Sequence, residues 1–274
     1  MKKLLAVVAC FLMISIVHGE DMTDLGKSII DSFFNLRAEL TYLDSADPDS
    51  IIERIDRFSD DNADSIIELD AQEKIILENF IIMEKYNYLY ELPGQDKVQQ
   101  KILGEQRQKI EDFRAGRGDS AFDRFFLVTQ GDVTSCYMGF SVSDVIKYGK
   151  TIRPLYESAI KADENFCYGL MNLGQWYYWA PGIAGGSKDK ALTYLERAYK
   201  AAETDSQKFY ACIFYSQLLF EKNRMEEAQK ILGEADALYA GSRYVETVRK
   251  ANSGGMSIYE YNRKKSKLND KDRK

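Results

Sequence analysis

The sequence predicts an all-α chain of stacked helical hairpins, and three observations carry that expectation. Its 274 residues include only four prolines. Apolar residues recur at three- and four-residue spacing rather than alternating, which is the period of a helix with one buried face. Small and large markers also repeat along the second half at nearly constant intervals. About eleven helices are expected after an amino-terminal leader, in one domain over residues 20–255.

The leader comes first. Lys2 and Lys3 precede an apolar run from Leu4 to Val17, followed by Gly19 and acidic, polar sequence. That order is a secretory signal peptide. The run is fourteen residues long, short of the about 20 that a membrane-spanning helix needs. Residues 1–19 are therefore expected to be cleaved, leaving a periplasmic or secreted protein. A competing reading lipidates Cys10 in "VVAC", but it leaves only Leu4 to Ala9 as the apolar core and strands Phe11 to Val17 behind it. Membrane association is expected only in that lipidated form.

Cleavage removes His18, the only histidine. The mature chain then has no imidazole base, no Ser-His-Asp triad, no Cys-His pair and no histidine metal ligand. Neither a metal site nor a cofactor is expected. Cys136, Cys167 and Cys212 remain, an odd count that reads as small core residues rather than a disulfide framework. The net charge of −6 becomes −8 without Lys2 and Lys3, so no long-range field attracts nucleic acid.

The first helix is expected from about Thr23 to Asp44, ending at "DPDS" because a residue before proline avoids the helical region. Ser50 and Glu53 read as a capping box for a second helix carrying Ile51, Ile52, Ile55 and Phe58. Residues 70–92 include "EKIILENFIIMEKYNYLYEL", apolar around most of a helix, which predicts burial on several sides. Its glutamates and lysines exclude a membrane span. Pro93 and Gly94 end it, a polar helix covers about residues 95–114, and "AGRGD" supplies the next break. At the far end, residues 256–274 read as a charged, solvated tail.

The repeats lie between. Leu170, Leu173, Gly174 and Tyr177 mark one helix and Ala191, Leu195 and Ala198 the next. Cys212, Tyr215, Ser216 and Leu219 with Ala228, Leu232 and Ala235 make a second unit, and Ile152, Tyr156 and Ala159 a preceding half-unit. Ile152, Ala191 and Ala228 stand 39 and 37 residues apart, near a period of about 34. Over residues 142–240 the chain resembles a tetratricopeptide repeat (TPR) protein, with Leu170 in place of the usual tryptophan. The resemblance implies a helical-hairpin solenoid in which these small residues sit at helix crossings.

The stretch "WYYWAPGIAGGSKDKALTYLERA" departs from that spacing. Gly174 to Ala191 spans seventeen residues where Ser216 to Ala228 spans twelve, so five are inserted. Pro181 stops the aromatic helix, Gly185 and Gly186 permit unusual backbone angles, and Ser187 is a good N-cap. Trp176, Trp179, Pro181, Gly185, Gly186 and Ser187 are the candidate residues for a ligand or partner, while Tyr177 is expected in the core. A helix N-terminus here would suit a carboxylate.

Pro181, Gly185, Gly186, Lys190, Ala191, Leu195, Glu196, Arg197 and Ala198 form the pattern P-x3-GG-x3-KA-x3-LERA. In a secreted, all-helical chain this resembles the T-component family that accompanies tripartite ATP-independent periplasmic (TRAP) transporters. The resemblance implies a solenoid around a central hollow, self-association as trimers, a lipid anchor, and pairing with a periplasmic solute-binding protein. The anchor is the point of departure, because Cys10 is poorly placed for it. The leading expectation is a non-catalytic scaffold that binds a protein partner, with that solute-binding subunit as the partner the resemblance implies. The first alternative is a carrier of a small hydrophobic or carboxylate ligand, which requires a cavity above about 300 Å³. A carboxylate-dependent secreted hydrolase is the other, illustrated by Asp132 with Glu157.

Overall fold

The computed structural model describes residues 21–43, 48–89, 94–118 and 121–264. The leader, with Cys10 and His18, lies outside the described residues, as does the tail beyond residue 264. Among the described residues the protein is all-helical and without strands. Twelve α-helices and one 3-10 turn precede a further helical stretch over 258–264, more than the eleven expected.

The N-terminal half comprises α1 (Asp24–Leu40), α2 (Pro48–Asp61), α3 (Ala63–Glu68), α4 (Ala71–Leu89) and α5 (Asp96–Arg117). Thr23 caps α1, accepting from the Gly26 amide at 3.0 Å, which offsets one of the orphan donors of the first turn. Ser50, expected at the N-cap of the second helix, is not at its start. Instead α2 begins at Pro48, whose fixed φ suits the first helical position, and Ser50 falls inside the first turn. The extra short helix α3 arises at Asn62, whose side chain and amide both donate to the Phe58 carbonyl. An asparagine that competes with the backbone in this way interrupts a helix.

The rest comprises α6 (Arg124–Met138), α7 (Val142–Ala162), α8 (Cys167–Trp179), the turn Gly182–Ala184, α9 (Lys188–Ala201), α10 (Asp205–Glu221), α11 (Met225–Leu238) and α12 (Arg243–Ser253). Helices α8 with α9, and α10 with α11, pack as consecutive pairs. Leu173, Gly174, Tyr177, Ala191, Leu195, Ala198, Ala228, Leu232 and Ala235 are all buried. A methyl group on Gly174 would lie 2.8 Å from Leu195 Cγ, so only glycine lets α9 approach this closely.

Two hydrophobic cores result. Phe33, Phe58, Phe80 and Phe126 centre the first, and Leu170, Leu195, Phe209 and Leu219 belong to the second. Helix α6 divides them, with Phe126 and Val133 in one and Val128 in the other. The chain then closes on itself. Tyr210 of α10 donates to the Arg37 carbonyl of α1 at 3.1 Å, Ser242 Oγ to Thr41 Oγ1 at 2.9 Å, and the Arg243 amide to the Thr41 carbonyl at 3.0 Å.

The start of the segment expected to be a solvated tail from residue 256 is instead packed against the helices. Ser257, Ile258 and Tyr259 are buried, the Ile258 amide donates to Gln217 Oε1 at 2.8 Å, and Tyr259 stacks on Tyr178 with ring centroids 4.3 Å apart. These apolar side chains bind an otherwise charged segment to α8 and α10.

Candidate functional site

Closure of α1 against α10 and α12 leaves a cavity of about 1510 Å³ between the helices. Its wall is mostly aromatic and aliphatic, with charge concentrated in two places. Arg37, Glu84 and Asp132 stand in the interior, half-buried Arg153 lines the wall while paired with Glu157 outside it, and Lys150, Arg243, Glu246 and Lys250 line it from exposed positions at the mouth.

The interior charges come from three helices. Arg37 sits on the core-facing side of α1, and its Nε donates to Glu84 Oε2 of α4 at 2.7 Å. Its guanidinium lies 5.0 Å from the Tyr210 ring centroid and 5.7 Å from that of Phe34. Such cation–π contacts favour a desolvated cation. Burial opposes the charge, but Glu84 and the surrounding tyrosines outweigh it and raise the Arg37 pKa.

Asp132 lies on α6 and is 8% exposed. Tyr156 of α7 donates to its Oδ1 at 2.7 Å, and Tyr168 of α8 donates to Oδ2. Burial pushes the carboxyl up to about 6, against the opposing effects of both tyrosine hydroxyls and Arg37. Burial also raises Tyr156 and Tyr168 well above the ordinary phenol range, with the Asp132 charge adding to it. Both therefore remain donors. A close approach makes room for this cluster: a methyl on Gly131 would fall 2.5 Å from Tyr156 Cε1.

The candidate loop borders the other side. Trp176, Trp179, Pro181, Ile183 and Ala184 line the cavity, whereas Gly185, Gly186 and Ser187 do not. Those three shape the turn instead. Gly185 adopts φ 94°, and a methyl on Gly186 would lie 1.8 Å from the Ala180 carbonyl oxygen. Ser187 caps α9 by accepting from the Lys190 amide at 3.3 Å, and its own amide donates to the Tyr177 carbonyl at 2.8 Å. Tyr177 is in the core. Trp179 is 50% exposed and Ile183 wholly so.

Tyr259 also lines the cavity. It is 3% exposed, yet its buried hydroxyl has no hydrogen-bond partner. A buried unpaired hydroxyl costs about 1–3 kcal/mol.

The illustrative pair Asp132 and Glu157 is not assembled. Glu157 is exposed, stands outside the cavity wall and pairs with Arg153 at 3.4 Å. Cys167 and Cys212 are buried and Cys136 partly so, and all three are free thiols that burial pushes up to about 12. Among the described residues no three His, Cys, Asp or Glu side chains cluster closely enough to hold a metal ion, and no helix is long and apolar enough to cross a membrane.

Sequence reasoning missed Arg37, Glu84, Tyr156 and Tyr168 as members of one site. The available signal was a charge within an apolar helix, "FFNLRAEL" for Arg37 and "FIIMEKY" for Glu84. Such charges are rarely buried unless paired.

Among the described residues, fold and site together define an all-helical protein with a cavity of about 1510 Å³ between its helices. Comparison with protein-family models and with curated proteins returns no match.

Proposed function

We propose that this protein is a non-catalytic, exported carrier that holds a small organic ligand in its central cavity, in the manner of a TPR-like solenoid resembling a TRAP-transporter T-component. The observation that carries this reading is the cavity itself. Its volume of about 1510 Å³ exceeds the roughly 300–1,000 Å³ of ordinary small-molecule sites, so a small occupant would share it with water. The wall is mainly apolar with a few converging polar groups, as ligand pockets are. The glycine-mediated contact of α8 with α9 supports the repeat-like reading of residues 142–240.

Native mass spectrometry of the protein purified mildly from its host's envelope tests the carrier reading. A discrete bound mass, released on denaturation, is the expected result. A bare chain that also fails to bind a neutral apolar dye would end it.

A second reading has its own support. Ile183, wholly exposed, and Trp179, half exposed, both line the cavity while facing solvent. Apolar side chains in that setting suit a protein partner that receives the ligand, such as a periplasmic solute-binding subunit. Under this reading, Ile183→Asp abolishes co-purification of such a subunit while leaving the bound small-molecule mass in place.

A further inference from the structure

The charge balance of the cavity interior narrows the ligand's chemistry, an inference that rests on the carrier reading. Arg37 is already committed to Glu84 through the 2.7 Å contact. Asp132 stands beyond that pair, within reach of the Arg37 field. One guanidinium thus faces two carboxylates, and the ionised interior carries one uncompensated negative charge.

We propose that the cavity binds a monocationic organic amine, with its ammonium seated on the Asp132 carboxylate between Tyr156 and Tyr168 and its apolar body along the aromatic wall.

Three features favour a cation over an anion. Each Asp132 oxygen accepts one tyrosine hydroxyl, and a carboxylate has about four lone-pair sites, so acceptor capacity remains for an N–H donor. The rings of Phe34 and Phe80 lie 5.7 and 5.2 Å from that of Tyr168, giving the wall the aromatic faces that attract organic cations. An incoming carboxylate would instead meet Asp132 and Glu84 across a guanidinium that is already paired.

Half-buried Arg153 is neutralised by Glu157 at 3.4 Å, and the mouth carries the opposite sign, with exposed Lys150, Arg243 and Lys250 against Glu246. Those side chains are exposed, and salt screens exposed charges over about 8 Å. Selection therefore falls to the desolvated anchor, where a charge pair is worth far more.

The groups that face Asp132 are Arg37 of α1, Tyr156 of α7, Tyr168 of α8 and Cys136 one turn along α6. Glu84 and Tyr210 complete the surroundings through Arg37. The tyrosines and the thiol stay protonated below neutral pH, so Asp132 is the group whose ionisation sets affinity. Its protonation as pH falls through about 6 removes the anchor's charge.

The test displaces Nile red, a neutral dye, from the full-length mature protein with octylamine, octanol or octanoate. Octylamine is expected to bind at least about tenfold tighter than either other probe. Its advantage over octanol should shrink about tenfold between pH about 7.5 and about 5, where the amine itself stays charged. In Asp132→Asn, checked for folding by circular dichroism, the ratio of octylamine to octanol affinity should fall to near one. Octanoate binding best, a ratio unmoved by Asp132→Asn, or a ratio flat with pH would each overturn the amine inference while leaving a ligand-binding cavity. Failure of Nile red and all three probes to bind saturably would overturn the carrier reading and this inference together.

Discussion

The two halves of the molecule solve the same packing problem by different chemistry. The C-terminal half brings helices together with small residues, as at Gly174 against Leu195. Its buried polar ties gather at one end, where Gln217 exchanges hydrogen bonds with Asn252 and accepts from the Ile258 amide, whereas the N-terminal half places buried polar groups between its helices throughout. Gln106 donates to Asn79 Oδ1 at 2.8 Å, Asn79 donates to Thr129 at 2.9 Å, and Glu73 Oε1 accepts from both the amide and hydroxyl of Thr23. Small-residue crossings tolerate shape changes poorly but need no partner. Polar ties fix one geometry and become costly when one member is lost.

That contrast can be broken most severely in the N-terminal half. Asn79→Ala removes the 2.8 Å acceptor of the Gln106 amide, leaving it only a 3.4 Å contact with Glu78, and takes from Thr129 its donor while the hydroxyl keeps its own bond to the Phe126 carbonyl; in this buried setting the loss is expected to cost about 3 kcal/mol in urea unfolding. Asn79→Leu with Gln106→Leu should recover much of the loss, because paired apolar groups need no partners.

Gly174→Leu is the corresponding break in the C-terminal half. It overpacks the crossing of α8 and α9 and should cost about 2 kcal/mol, with no polar rescue available. An unchanged melting temperature would contradict the assignment of Gly174 to a close helix crossing.

Asp132 sharpens the comparison, since it belongs to α6, the helix shared by both cores. Its folded pKa of about 6 lies above the ordinary aspartate value of 3.8. The carboxyl therefore stabilises the fold fully below pH about 3.8, and that contribution is lost as pH rises through about 6. In the ligand-free protein, Asp132→Asn should raise stability at pH about 7.5 by about 1–2 kcal/mol, after allowing for altered tyrosine hydrogen bonds. The gain should fade below pH about 4, which thermal melts across that range would read directly.

The smallest effect is expected at Tyr259. Tyr259→Phe removes a buried hydroxyl without a partner and should raise stability by up to about 1 kcal/mol. A loss of stability instead would mean that ordered water satisfies the hydroxyl.

The same contrast explains what was legible beforehand. The C-terminal pairs were readable because Ala191, Ala228 and their partners recur at a fixed interval, and local spacing determines which face a helix buries. Within the loop, proline and glycine gave away the turn, but not that Trp176 and Trp179 face the cavity while Gly185 to Ser187 do not. The interior site was not legible. Arg37, Glu84, Asp132, Tyr156 and Tyr168 come from five helices, and no local pattern announces their meeting. Asp132 was one acid among many. The buried end at Ile258 and Tyr259 was obscured by the charged residues that follow it.

Three hydrogen bonds join Arg37 and Thr41 to Tyr210, Ser242 and Arg243, across 173 to about 200 residues of chain. Contacts so remote in sequence bring a loop-closure cost that local pairing does not, and they are expected to form late in folding. Each half can condense on its neighbours before the ends meet. The hollow exists only after that final latch engages, so a ligand that stabilises it acts on the slowest-forming contacts and should retard unfolding more than it hastens folding.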